Sequence, residues 1–321
     1  MVPFPRRLKA HLALAFAALI WGSTFVVVKE ALRDASPLVF VTFRFTFAFL
    51  LLAALFHRRL LHSSKGILPA GIVTGGFLCG GYVFQTIGLQ YTTPTKSAFI
   101  TAMSVVFVPL LVVALFRQRL RAPAVVGVAV AFCGLYFLTM PSGKLVAEMG
   151  DLLTLVCALG FAGHIVAVGH YAPRHDVAAL AVWQVGAAAA FAILATPLAH
   201  FSGIEHAELV WTPKLILALA ITAGLATALA FSLQTWAQRI TTPTHTAIIY
   251  TLEPVFAALT SYIILAERLG GRALLGAGLI FAGVLVAELR AVPEPGMPGA
   301  PAYGVMQETS SKGKQRISGS K

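Results

Sequence analysis

Charge is scarce in this chain. Only 11% of its 321 residues are charged and 58% are hydrophobic, whereas a soluble domain usually carries about 25% charged residues. The acidic sign is the scarcer one, with 12 Asp and Glu against 24 Lys and Arg. The basic residues lie in short clusters between apolar runs, which indicates loops beside a membrane and no nucleic-acid surface. The composition therefore excludes an ordinary water-soluble domain.

Cysteine is almost absent, and common catalytic motifs are missing. The three cysteines fall within apolar runs and in no CxxC spacing; they are Cys79, Cys133 and Cys157. This pattern predicts packing residues, with no disulfide framework and no metal site. The sequence contains no HExxH, GxSxG or Walker A pattern. We therefore expect neither an enzyme active site nor a cofactor, and no ATP-driven pump.

Long apolar runs are what the chain has in quantity. A helix needs about 20 mostly apolar residues to cross a membrane, and ten stretches approach or exceed that length. They cover approximately residues 11–29, 37–56, 67–90, 95–116, 122–140, 150–169, 178–200, 213–236, 243–266 and 272–290. The pattern predicts an all-α transmembrane fold of ten helices.

The two ends of the chain are more polar. Arg6, Arg7 and Lys9 precede the first apolar run, which has no small-residue cleavage site after it and so predicts a retained helix. Residues 291–321 are rich in Pro, Gly, Ser and Lys, which predicts a disordered basic tail. Lys and Arg are more frequent in the loops on the N-terminal side, which predicts that both termini are cytoplasmic.

An internal repeat links the two halves of the sequence. A shift of 149 residues lays YTTPTKSAFI (91–100) on ITTPTHTAII (240–249), and matches continue without a gap over three helices. A weaker shift of 140 residues relates the preceding helices and places Arg44 on Gln184. Two copies of one unit are therefore predicted.

Each predicted unit, residues 10–140 and 150–290, holds five spans. Because five is odd, the second copy enters the membrane from the opposite side, which predicts two inverted five-helix repeats. Inverted repeats are typical of secondary transporters, whose site lies near the midplane between the halves. The alternative is a duplication that serves only to assemble a scaffold or receptor.

Several segments resemble a known family. They are IWGSTFVVVKEAL (20–32), PLVFVTFRF (37–45) and LEPVFAALTSYIILAERL (252–269). Together they resemble the drug/metabolite transporter superfamily, and within it the EamA-type branch, which has ten helices in two such domains. The resemblance implies a bacterial inner-membrane exporter of a small metabolite such as an amino acid or a drug-like compound.

Ionisable side chains inside a span are costly and are candidates for function. Glu253 lies near the middle of the ninth span, and Pro254 after it can bend the helix toward a cavity. The Glu253 carboxylate could carry a proton or bind an amine; the alternative is a structural pair with Arg44. Arg44 suits a substrate carboxylate, or it could tie helices together. Glu253 is the predicted proton-coupling residue.

Other polar and aromatic side chains complete a predicted substrate cavity. Lys96 and His245 occupy equivalent repeat positions just inside two helices that begin Thr-Thr-Pro-Thr, and they suit gates, substrate contacts or a solvated rim. His164 titrates near neutral pH or serves packing. The full set of cavity candidates is Trp21, Arg44, Tyr82, Gln85, Lys96, His164, Gln234, His245, Tyr250 and Glu253.

Glycines mark a predicted packing face. Gly127 and Gly134, like Gly276 and Gly283, are seven residues apart and so lie on one side of their helix. Small residues allow helices to approach closely in a membrane. We expect this stripe to pack between the two halves or between subunits, which leaves a homodimer open. The expected partners are the lipid bilayer and a small-molecule substrate.

Overall fold

The computed structural model describes residues 4–64, 66–117, 120, 122–139, 148–265 and 270–289. The predicted tail, 291–321, lies outside them. The helices are α1 (Phe4–Ala31), α2 (Pro37–Leu55), α3 (His57–Leu61), α4 (Ile67–Gln90), α5 (Pro94–Ala102), α6 (Ser104–Phe116), α7 (Ala122–Thr139), α8 (Met149–Tyr171), α9 (Val177–Phe201), α10 (Pro213–Ala223), a π-helical segment (Gly224–Leu229), α11 (Ala230–Ala237), α12 (Pro243–Tyr250), α13 (Glu253–Leu265) and α14 (Gly271–Leu289). Over the described ranges the only β pairing is a bridge between Ala35 and Leu209, so the all-α prediction is confirmed.

The helices have the length and composition of membrane spans. Seven helical stretches in the described ranges can cross a bilayer, and two shorter apolar helices, Ala122–Leu138 and Gly271–Ala287, accompany them. Two of the seven, Pro94–Phe116 and Pro213–Ala237, join α5 to α6 and α10 to α11. Apolar side chains cover much of the outside because lipid is their solvent. The chain is a multi-pass α-helical membrane protein.

Helices of one half pack mainly against helices of the other. The third predicted span, α4, lies against α8 and α9, and the first, α1, lies against α11 and α13. The third span thus contacts the sixth and the first contacts the eighth, which is the reciprocal packing expected of two copies around a two-fold axis. The central space lies between these pairs. The inversion of the copies stays a prediction.

The predicted glycine stripe lies where α7 and α14 touch. A Cβ atom on Gly134 would lie 2.7 Å from the Gly276 carbonyl oxygen, and one on Gly127 would lie 2.8 Å from the Gly283 carbonyl oxygen. Real Cβ atoms do not approach this closely, so the two backbones are in direct contact. The stripe therefore joins the last helix of one half to the last helix of the other.

Replacing Gly276 with alanine is expected to destabilise the protein by about 1 to 3 kcal/mol. The new Cβ would clash with the Leu138 backbone nitrogen, which cannot move without shifting α7. Gly278→Ala is the matched control, because nothing lies within 4 Å of its Cβ position, and alanine favours a helix by about 0.5 to 1 kcal/mol over glycine. Thermal unfolding in detergent measures both; equal melting temperatures would contradict the packing argument.

Two spans are broken at equivalent repeat positions. The fourth breaks at Met103, between α5 and α6, and the ninth at Leu252, between α12 and α13, which the shift of 149 superposes. The Met103 amide donates to the Ile100 carbonyl, and the Leu252 amide to the Ile249 carbonyl, at 3.1 Å each. These are the tighter three-residue bonds of a local 3₁₀ turn. The sequence predicted a bend of the ninth helix at Pro254, next to the observed break, and gave no sign of the break in the fourth span.

Candidate functional site

A central cavity lies between the two halves, at the broken helices. It holds about 620 Å³ of atom-free space when its open mouth is included. Of the ten predicted cavity residues, the structure places eight in its lining: Trp21, Arg44, Tyr82, Gln85, His164, Gln234, Tyr250 and Glu253. The lining also contains Thr24, Phe25, Val28, Thr101, Ala102, Ser104, Phe161, Ile165 and Phe231.

Arg44 of α2 is buried in the cavity wall and is held by neutral groups. Its Nε donates to Thr227 Oγ1 at 2.8 Å, and its Nη2 donates to Tyr82 Oη at 3.0 Å and more weakly to the Ala226 carbonyl at 3.4 Å. Its Cζ also lies 4.1 Å from the centre of the Tyr82 ring, a cation–π distance. Within the described residues Arg44 forms no ion pair with Glu253. Arg44 therefore ties α2 to α4 and to the π-helical segment.

The π-helical segment Gly224–Leu229 shapes this wall. A π-helical turn inserts one extra residue and loosens the regular hydrogen-bond ladder, often at functional sites. The Ala226 carbonyl accepts a hydrogen bond from Trp21 Nε1 at 2.7 Å as well as from Arg44. Its counterpart in the first copy, Gly75–Gly80, lies in the regular helix α4. The two halves therefore present different backbone groups to the cavity.

Aromatic rings form the apolar part of the lining. The Trp21 ring lies 5.1 Å from Phe231 and 5.0 Å from Tyr250, measured between ring centres. Tyr82 lies edge-on to Phe161 at 5.1 Å. Such tilted and T-shaped pairs are the favoured aromatic geometries. They give the cavity rigid walls that suit an apolar solute or the face of an organic cation.

Glu253 is the first residue of α13, directly after the break, and is buried. Its carboxylate forms no hydrogen bond or ion pair with any described residue. Two further polar groups of the lining, Tyr250 Oη and Gln234 Oε1, are also without a hydrogen-bond partner in the described structure. The Glu253 backbone packs closely against Gly22 of α1. A Cβ on Gly22 would lie 2.5 Å from the Glu253 carbonyl oxygen.

The remaining amides of the site belong to short hydrogen-bond chains. His164 Nε2 lies 3.0 Å from Gln184 Oε1, and Gln184 Nε2 donates to Thr235 Oγ1 at 2.9 Å. The shift of 140 residues places Arg44 of the first half on Gln184 of the second half. In a separate contact, Gln85 Nε2 donates to Thr101 Oγ1 at 3.1 Å. Gln85, Thr101 and His164 line the cavity, whereas Gln184 and Thr235 lie outside its lining and hold His164 in place.

Lys96 and His245 lie outside the cavity lining, at its two ends. Lys96 Nζ forms ion pairs with Asp151 Oδ2 at 2.6 Å and with Glu148 Oε2 at 3.4 Å. His245 Nδ1 lies 2.8 Å from Thr242 Oγ1, the residue that caps α12. Sequence reasoning missed the two acidic partners, although Asp151 is the acidic residue in the first turn of the sixth span.

The fold and the site together define a class of protein. A bundle of apolar helices from two repeated halves surrounds a central polar cavity at two broken helices, which is the architecture of membrane transporters. The chain belongs to the EamA-like transporter family, whose model matches it twice, over residues 8–140 and 148–289. The resemblance drawn from the sequence segments is thereby confirmed.

Individual proteins agree with this assignment. An uncharacterized transporter of Archaeoglobus fulgidus is 42% identical over 287 residues, covering 89% of this chain and 87% of the relative. A protein of Salmonella typhimurium named "Probable amino-acid metabolite efflux pump" is 27% identical and covers 84% of this chain and 91% of its own length. One crystal structure superposes with a TM-score of 0.70 at 21% identity, over 87% of this chain and 96% of that one. The family and the two named relatives are transporters and not enzymes, and the crystal structure shows the same fold.

Proposed function

We propose that this transporter exports a small organic metabolite, such as an amino acid or a drug-like compound, by alternating access between its two five-helix halves. We place it in a bacterial inner membrane with both termini in the cytoplasm. The observation that carries the proposal is the central cavity, which contains a buried carboxylate at the break of a helix, with no hydrogen-bond or ion-pair partner among the described residues. Discontinuous helices at the midplane are a recurrent site of substrate and ion binding.

The unpartnered polar groups support a solute that donates hydrogen bonds. The Glu253 carboxylate and Gln234 Oε1 are acceptors, and Tyr250 Oη can accept as well. An ammonium group has three donors and a positive charge, and so it matches this set. The aromatic walls suit an apolar side chain of the same solute. Among the relatives, the efflux pumps named for amino-acid metabolites agree with such a substrate.

Proton coupling follows from the same carboxylate. A lone charge in an apolar surrounding is costly, so Glu253 needs a cationic solute or a proton. A carboxylate that binds one or the other in turn would exchange protons for solute across the membrane. An uncoupled facilitator is the alternative, in which the carboxylate only selects the solute.

Flux in proteoliposomes tests the proposal. Purified protein would be reconstituted with a mixture of amino acids inside, and their release would be followed with and without a pH difference across the membrane. Release faster than that from solute-loaded liposomes without protein supports transport, and acceleration by the pH difference supports coupling. The same release with and without protein, for amino acids and for organic amines loaded in the same way, would refute export of these solutes and favour a scaffold.

A further inference from the structure

We infer that Lys96, Asp151 and Glu148 form an ionic latch that closes one end of the central cavity, and that its rupture is the step by which this end opens. The inference rests on the proposed function, since it describes one gate of the transport cycle. The latch is made of residues from both halves of the chain. In the predicted orientation it faces the outside of the cell.

The latch joins the first turn of α5 to the start of α8. Lys96 Nζ lies 2.6 Å from Asp151 Oδ2 and 3.4 Å from Glu148 Oε2, and the Lys96 and Asp151 side chains are only 21% and 13% exposed. Thr92, just before α5, donates from its Oγ1 to Asp151 Oδ1 at 3.1 Å. Because water screens such a pair only in part, it is stronger than a surface ion pair.

The segment before α5 is also held from a second side. Lys29, at the end of α1, donates from its Nζ to the carbonyls of Gln90 and Thr92 at 3.1 Å each, and to that of Leu89. These three carbonyls end α4 and lead into α5. Contacts made by Lys29 stay within the first half, whereas those made by Lys96 cross to the second half. Gly88 of α4 and Gly150 of α8 pack backbone to backbone, so rupture of the latch frees the first turn of α5 from α8 while α4 and α8 stay in contact.

The position of the latch relative to the cavity makes it a gate. Thr101, which lines the cavity, follows Lys96 by five residues of the same helix, about 7.5 Å along its axis. On α8 the cavity residues Phe161 and His164 follow Asp151 along the same helix. The latch thus joins two helices from different halves that run side by side into the cavity wall, since Thr101 Oγ1 of α5 lies 3.8 Å from Cys157 Sγ of α8.

The opposite end of the cavity carries different chemistry at the equivalent positions. The shift of 149 places Lys96 on His245, and the shift of 140 places Asp151 on His11. His11 lies within electrostatic reach of His245, so two imidazoles replace a pair of opposite charges. At that end Gly169 of α8 packs against the ring of Pro243, since a Cβ on Gly169 would lie 2.5 Å from Pro243 Cγ. The opposite end also has an ion pair between the halves, Arg59 with Asp176 at 3.6 Å, but its side chains are 68% and 45% exposed. The ion pair of Lys96 with Asp151 is the more buried one, so we expect removal of either charge to open the first end.

A double-mutant cycle read out by side-specific labelling tests the latch. Thr24→Cys places a thiol in the cavity lining, in full-length protein whose three native cysteines are replaced by serine. A membrane-impermeant maleimide is then applied from each side, to spheroplasts and to inside-out vesicles. We expect Lys96→Met and Asp151→Asn each to raise labelling from the Lys96 end about fivefold, as the loss of a half-buried ion pair allows. The double variant should label no faster than either single variant.

Two further variants keep the result interpretable. Lys96→Arg preserves the charge and should label like the parent protein. Arg33→Met removes an exposed ion pair with Glu30 at the same end, between the last turn of α1 and the residues just after it, and should also label like the parent protein. Unchanged labelling in both single variants, or additive effects in the double variant, would overturn the latch. Absence of solute flux in the parent protein would instead refute the proposed function, and the labelling cycle would still decide whether the ion pair closes this end.

Discussion

Replacing Glu253 with glutamine is expected to abolish the proton-driven solute gradient in proteoliposomes. A difference of one pH unit stores about 1.4 kcal/mol per proton, which can sustain roughly a tenfold solute gradient if one proton exchanges for one solute molecule. Glutamine keeps the size and the hydrogen-bonding capacity of the side chain but cannot take up or release a proton. We therefore expect the variant to reach no solute gradient, while exchange of labelled for unlabelled solute remains measurable.

The prediction rests on the surroundings of the Glu253 carboxylate, which show no structural role for it among the described residues. It forms no hydrogen bond or ion pair with a described residue, whereas Arg44 in the same cavity lining has three neutral acceptors. Glu30→Gln is a suitable control, since Glu30 is exposed and, among the described residues, its ion pair is with Arg33 just after the end of α1. The measurement is accumulation of a radiolabelled solute after an imposed pH jump. Accumulation by Glu253→Gln equal to that of the parent protein would exclude the coupling role.

Much of the fold could be predicted from the sequence because a membrane leaves few choices. Without water, backbone groups must be satisfied within each segment, so an apolar run of about 20 residues becomes a helix. The 149-residue shift also paired equivalent positions of the two copies, such as Gln85 with Gln234, and these pairs were predicted to line the cavity. Both line the cavity, on helices from different halves.

The helix breaks and the π-helical segment could not be predicted in the same way. Pro254 marks the break in the ninth span, yet the first copy breaks at Met103 with Val105 at the corresponding position. The break therefore depends on packing between helices, which a single sequence does not display. The π-helical segment Gly224–Leu229 has a regular helix as its repeat counterpart, so no shared pattern predicts it. Thr227, which holds Arg44, was missed for this reason.

Replacing Arg44 with lysine is expected to destabilise the protein by about 3 kcal/mol, and by more than replacement with methionine does. Lysine would bury the same charge, but its ammonium cannot reach Thr227 and Tyr82 at once in the planar geometry of a guanidinium. Methionine loses the same contacts yet removes the buried charge and its desolvation cost, which offsets much of the loss. Thermal unfolding in detergent measures both variants.

The transport properties of the two variants distinguish the two roles of Arg44 that the sequence left open, which are to tie helices together or to bind a substrate carboxylate. If Arg44 mainly ties α2 to the π-helical segment, Arg44→Met folds and still transports solutes with and without a carboxylate in the parent's ratio. If Arg44 instead binds a solute carboxylate, Arg44→Lys retains carboxylate transport and Arg44→Met loses it selectively. Competition by an amino acid and by its amide, measured on both variants, decides between these readings. Because Nε and Nη2 are already bound to neutral acceptors, we expect the first result: the charge that selects the solute belongs to Glu253.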